Sequence, residues 1–283
     1  MRTNDTRRSC ALDQAHALGI DGPVFRDYRH EIAFLRHDTQ GMKEQLDWAK
    51  GKSDAQELLA SSQANVEVYH GRFRTARRLL KDTNMENFAL QEAEAGNFAV
   101  AREVFDAAKV PDLRQRSTLA LLLARSGRIE QAQSLSDSVS QAFPSNTMVQ
   151  CFYLPAVRAA IKLQQNDPAS AIEILQPALR YDLSLPQNFY VLYPAYLRGL
   201  AYLQMNDGLR AAAEFEKIRN NPGLAERSVI GALAALQLAR ARAMAGDRTG
   251  ARKLYQDFLA SWKDADAGIP IYRQAKAEYA KLS

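Results

Sequence analysis

Cysteine is scarce in this chain of 283 residues. Cys10 and Cys151 stand far apart with no CxxC pair. That spacing gives neither a disulfide framework nor a thiolate metal site, and it leaves the redox compartment open. The longest apolar run, near Leu119–Ala124, is far too short to span a bilayer. The opening MRTNDTRRSCALDQ has basic residues but no apolar stretch, so no secretory leader is read there. A Gly-rich phosphate loop, an HRD-type catalytic loop, a DFG metal ligand, a P-loop and a GxSxG elbow are all missing. The string HEIAF at His30 opens like a zinc-protease helix, but Phe34 stands where the second histidine is needed. The four histidines, His16, His30, His37 and His70, read as surface or turn residues. The pairs Glu92/Glu94 and Asp264/Asp266 read as solvated, since carboxylates without a pocket imply no catalysis. The chain therefore reads as non-catalytic, with no cofactor and no metal.

Excess charge is also small. Thirty-seven Lys and Arg against thirty-two Asp and Glu leave +5, with an isoelectric point near 9.2. Much of the excess lies in RFRTARRLLK, residues 72–81, and spreads around a helix surface. A solvated face explains it better than a nucleic-acid site, and no nucleic-acid partner is expected.

What is abundant is helix: Ala, Leu, Arg, Gln and Glu dominate. The stretch Leu238–Leu259, LARARAMAGDRTGARKLYQDFL, reads as two helices folded on a tight turn. Gly246 suits the left-handed residue that ends one helix, and Asp247 suits the cap that starts the next. Ala239, Ala243 and Ala251 are small where the helices touch, and Tyr255 fills the space one turn on. The pattern recurs as Gly71/Ala76, Gly96/Ala101, Gly127/Ala132, Asn166/Ala171, Asn206/Ala211 and Gly246/Ala251. Four residues past each Ala stand Leu80, Phe105, Ser136, Leu175, Phe215 and Tyr255. Successive Ala residues are 25, 31, 39, 40 and 40 apart. This is tetratricopeptide-like spacing with linkers that depart from the usual period of about 34. The reading is an all-α, right-handed superhelical solenoid of about six or seven hairpins.

Residues 1–23 read as a partial hairpin or a disordered N-terminus. Residues 24–268 read as the repeat array, with turns near 37–41, 71, 96, 127, 166, 206 and 246. Residues 269–283 read as a capping helix, with Ile271, Ala275, Tyr279 and Leu282 on one face. The 25-residue spacing after Ala76 predicts one truncated or lost helix. Asp167-Pro168 predicts an N-cap followed by proline in the first turn.

From Phe143 onward the chain resembles a known family. FPSNTMVQCFYLPAVRAAIKLQQNDPASAIEILQPALRYDL, LYPAYLRGLAYL and, most specifically, ASWKDADAGIPIYRQAKAEYAKL are similar to the C-terminal tetratricopeptide region of bacterial serine/threonine protein kinases of the acidobacterial type. The resemblance continues more weakly to residue 24 through FRDYRHEIAFL and LDWAKGKSDAQELL. It implies an upstream kinase domain, often followed by a membrane helix; similar repeats also follow winged-helix domains in bacterial regulators. This chain has no kinase domain, so no catalytic or nucleotide-binding residue carries over, and it is shortened between Leu80 and Phe88. An array beginning mid-hairpin implies an uncapped apolar end that calls for a preceding segment, a partner or self-association there.

In the register set by the turns, Tyr153, Tyr193, Tyr196, Gln204 and Arg240 fall near the concave positions of inner helices. Arg158 and Arg198 each stand eight residues before a turn asparagine, in matching places. Such Tyr and Arg residues suit a binding groove, where Arg grips a peptide carboxylate. The competing explanation carries more weight: arginines bridging neighbouring hairpins, and rings packed as core. The sequence thus points to a scaffold that binds a peptide or partner helix. The alternatives are the regulatory repeats of a kinase whose catalytic domain lies outside this chain, and the sensor half of a transcription regulator. The chain itself reads as cytoplasmic, while the kinase resemblance allows a membrane-tethered parent.

Overall fold

The computed structural model describes residues 10–15, 17–80, 85–107, 113–184, 191–225 and 227–282. Among them seven hairpins follow in order, each pairing an inner helix with an outer one. The pairs are α1 (Pro23–Leu35) with α2 (Thr39–Ala49), α3 (Ser53–Tyr69) with α4 (Phe73–Leu80), and α5 (Met85–Glu94) with α6 (Phe98–Ala107). Next come α7 (Leu113–Arg125) with α8 (Ile129–Ala142), α9 (Leu154–Gln164) with α10 (Pro168–Ile174), and α11 (Tyr193–Gln204) with α12 (Gly208–Arg219). The short α13 (Pro222–Ala225) leads to α14 (Val229–Met244) with α15 (Arg248–Ser261), and α16 (Pro270–Ala280) follows. The fold is an all-α solenoid of helical hairpins. No helix among the described residues is long and apolar enough to cross a membrane.

The turns share one construction. His37, Gly71, Gly96, Gly127, Asn166, Asn206 and Gly246 have φ between 57° and 88°. The next residue sends its N–H back five residues, as Asp38 does to Ala33, Arg128 to Leu123 and Asp247 to Arg242. That bond satisfies carbonyls the helix end would orphan. In four turns the following aspartate caps the outer helix: Asp38 accepts from Gly41, Asp167 from Ser170, Asp207 from Arg210 and Asp247 from Gly250. Past each turn Ala76, Ala101, Ala132, Ala171, Ala211 and Ala251 are fully buried. Four residues on, Leu80, Ser136, Leu175, Phe215 and Tyr255 are buried as well, while the Phe105 side chain lies outside the described residues. Aromatic fillers of this kind bury on the order of 150–250 Å² each.

The short spacing after Ala76 costs no helix. Both members of each hairpin are present among the described residues, α4 with 8 described residues and α5 with 10. Before α9 the chain makes a π turn, Val149–Tyr153. Pro155 has no N–H to bond the carbonyl four residues back, which favours this local widening.

The array does not stay open. The inner helix α14 packs against its neighbour α11 and also against α3 and α5. Helices α5, α7, α9, α11 and α14 therefore close into a ring. The C-terminal link completes it. Trp262 Nε1 donates to the Tyr69 carbonyl at 2.9 Å, Asp266 N to Gly71 O at 3.0 Å, and Ile271 N to Ala95 O at 3.3 Å. Gly71 must be glycine on two counts: φ is 74°, and a β-carbon would sit 2.7 Å from the Trp262 ring. At the other end Leu18, Ile20, Val24 and Tyr28 remain exposed.

Candidate functional site

Ring closure decides where the expected binding residues lie. Tyr193 and Tyr196 are 2% and 1% exposed, and Arg198 is 1% exposed. They are not on a groove surface; the expectation that they meet a ligand is corrected by their burial between the chain's own helices. Tyr193 Oη donates to Glu94, which also takes a bidentate grip from Arg125, Nη2 at 2.9 Å. One buried carboxylate thereby ties α5, α7 and α11 together. Burial raises the Tyr193 phenol well above its ordinary pKa, and the Glu94 charge adds to the effect. The Tyr196 ring lies 5.9 Å from Tyr193 and 5.9 Å from Phe215.

The remaining residues separate. Gln204 is exposed at the end of α11 and donates to the Leu163 carbonyl at 3.2 Å. Arg240 grips Glu278 of α16 through two 2.9 Å bonds. Tyr153 is half-buried in the π turn, edge-on to Phe152 at 5.5 Å. Tyr193, Tyr196, Arg198, Gln204 and Arg240 thus all contact other elements of the chain itself.

Arg158 is different. It shares the repeat register of Arg198, forty residues earlier, but not its partners. Arg198 bonds Asp182 and, at 2.9 Å, Glu214. Forty residues before those two acids stand Ala142 and Ile174. Arg158 has consequently lost both carboxylates, and no other described residue pairs with it. Other arginines are paired: Arg125 with Glu94, Arg227 with Asp27 and Arg240 with Glu278.

Arg158 lines an open groove of about 630 Å³ between α8 and α10, floored by α9. Ile129, Ile161 and Ile174 give it apolar patches; Glu130 and Asp137 stand on the α8 side. Asp137 already accepts from Gln133 at 2.9 Å. Glu130 lies in the first turn of α8, where the helix N-terminus favours negative charge. Lys162 is 3.3 Å from Asp167. The guanidinium left without a carboxylate in this groove is that of Arg158.

Sequence reasoning missed three buried polar groups. His30, Glu92 and Glu94 are all buried, where solvated positions were expected. His30 Nδ1 faces Arg227 Nη1 at 3.3 Å, and its Nε2 faces Gln63 at 3.0 Å. A guanidinium can only donate, so Nδ1 accepts and the ring is neutral, with its proton on Nε2. The available signal was in α5: Phe88 to Ala95 is buried on every side, and an inner helix with no solvent face must bury its carboxylates too. Among the described residues no cluster of three His, Cys, Asp or Glu side chains could hold a metal.

No family matches the chain, and no curated protein matches it. Among solved structures the chain is similar to yeast Tom70, with 16% identity, a TM-score of 0.45 and 98% of this chain covered. The likeness takes in 59% of the Tom70 chain, so this chain spans about three fifths of that length.

Proposed function

We propose that the chain is a non-catalytic protein-interaction scaffold that binds an extended peptide in the outer groove between α8 and α10, not on its closed inner face. The carrying observation is Arg158, half-buried in an open groove with its repeat-equivalent acids replaced by Ala142 and Ile174. A planar guanidinium in such a place takes a carboxylate in two parallel hydrogen bonds. The eight steps of α8 from Ile129 to Asp137 span about 12 Å at 1.5 Å per residue. At about 3.3 Å per residue, that length takes about four residues of extended chain. Ile161 and Ile174 supply apolar contact for one aliphatic side chain.

Selection of a displayed random-peptide library on the purified chain tests this. Enriched peptides carry a carboxylate beside an aliphatic residue, and Arg158→Ala weakens them at least tenfold while Arg158→Lys weakens them less. Enrichment that survives Arg158→Ala assigns the binding elsewhere. Attachment to a serine/threonine kinase domain, or to a winged-helix domain, rests on the sequence resemblance from Phe143 onward; the reading frame upstream of Met1 tests both.

A further inference from the structure

The ring is closed by a polar seam. On one side are the edges of the α3–α4 and α5–α6 turns; on the other is the link from Trp262 to Pro270. Besides the Trp262, Asp266 and Ile271 bonds, Asp266 Oδ2 accepts the Arg74 N–H at 2.8 Å, and His70 Nδ1 lies 3.2 Å from the Ser261 carbonyl. Pro270 rests on Gly96, where a β-carbon would come within 3.0 Å of it.

Behind this seam lies Glu92, fully buried on α5. Asn97, from the adjacent turn, donates to one of its oxygens. The other oxygen, Oε1, has no hydrogen-bond partner, and the nearest cation is Arg77 Nε of α4 at 3.5 Å. Two charged groups face this carboxyl: Arg77 from α4, which favours its ionisation, and Asp266 from the link, which opposes it. An ionised carboxylate in that position is under-solvated, and the charge of the aspartate that fastens the link opposes it further. The same charge is relieved if the link lifts and water enters.

We propose that residues 262–270 are a latch on the ring and that the charge on Glu92 governs it: the latch is shut while Glu92 is protonated and loosened once it ionises. Burial, the largest influence on Glu92, raises its pKa to about 7, so the change falls near neutral pH. Rising pH loosens the seam, and falling pH fastens it. The device belongs to the ring's edge and does not depend on the peptide groove.

Amide hydrogen exchange on the full chain reads the latch directly. Protection of the Arg74, Asp266 and Ile271 N–H groups, corrected for intrinsic exchange, is followed from pH 5.5 to 8.5. The expected result is a fall of tenfold or more across pH 6–8 in the native chain, absent in Glu92→Gln. Constant protection in the native chain, or the same fall in both proteins, overturns the proposal. If Glu92→Gln does not fold by circular dichroism, Arg77→Gln decides. It leaves Glu92 and every seam bond in place but removes the charge that favours ionisation, so the fall moves to higher pH; a fall at unchanged pH overturns the latch.

Discussion

Asp266 accepts the backbone N–H of Arg74 at 2.8 Å, so helix α4 takes its N-terminal cap from the far end of the chain. The residue at α4's own cap position is Arg72, whose side chain has no acceptor to offer. Asp266→Ala should therefore cost about 1 kcal/mol, the usual worth of a cap, and lower the urea midpoint without changing the slope. Asp266→Asn keeps an acceptor and should retain most of that stability. An unchanged midpoint in the alanine variant would leave α4 capped by something else.

Glu92 makes stability depend on pH in an unusual direction. Its folded pKa of about 7 exceeds the ordinary 4.5, chiefly through burial. Between those values the folded chain holds a proton that the unfolded chain has released. Stability is therefore full below pH 4.5, falls as pH rises towards 7 and is level beyond. At 1.36 kcal/mol per unit, the loss is about 3 kcal/mol as an upper bound. Glu92→Gln should remove that slope in urea titrations run at pH 5, 6, 7 and 8.

His30 works the other way. Burial first, and then the Arg227 charge, hold its pKa below 6.5, outweighing Gln63 and Asp27. Its contribution is present above 6.5 and is lost as pH falls through the lowered folded value. His30→Gln should abolish this acid-side loss, which thermal melts between pH 4.5 and 7 would detect.

Arg198 and Arg158 should respond oppositely to alanine. Removing Arg198 leaves the buried Asp182 and the half-buried Glu214 to share Lys217 as their one cation among the described residues and should destabilise the chain by about 3 kcal/mol. Removing Arg158 breaks no pair among the described residues and should change stability by less than about 0.5 kcal/mol while weakening peptide capture at least tenfold. Denaturation of the two variants side by side distinguishes a structural arginine from a binding one.

Gly199 offers a steric test of the α11–α12 contact. A β-carbon there would lie 2.5 Å from the Phe215 ring, in a core with no room to yield. Gly199→Ala should destabilise by about 1–3 kcal/mol despite alanine's better helix propensity. Adding Phe215→Leu should recover part of the loss.

The hairpins could be read from the chain because their constraints are local. Only Gly, Asn and the occasional His sit easily at positive φ, and Asn166, Asn206 and Gly246 each precede an aspartate that caps the next helix. Ring closure has no such local mark. It sums small rotations from one hairpin to the next, and no residue pattern records the total. Tyr193 therefore carries the sequence register of a groove residue and the surroundings of a core residue. The contrast between Arg158 and Arg198 was written in the chain, but at sixteen residues on either side: Asp182 and Glu214 for one, Ala142 and Ile174 for the other. Hairpin turns eight residues away did not reveal it.

The seating of Trp262 on Tyr69 also orders events in time. A solenoid whose contacts are all between neighbours can fold as it leaves the ribosome, one hairpin after another. Here 193 residues separate Trp262 from the Tyr69 carbonyl it bonds. At about 5–20 residues per second, that separation is roughly 10–40 s of synthesis. Through that interval the start of α4 and the Tyr69 carbonyl have only water for partners, and the N-terminal hairpins wait on the last to be finished.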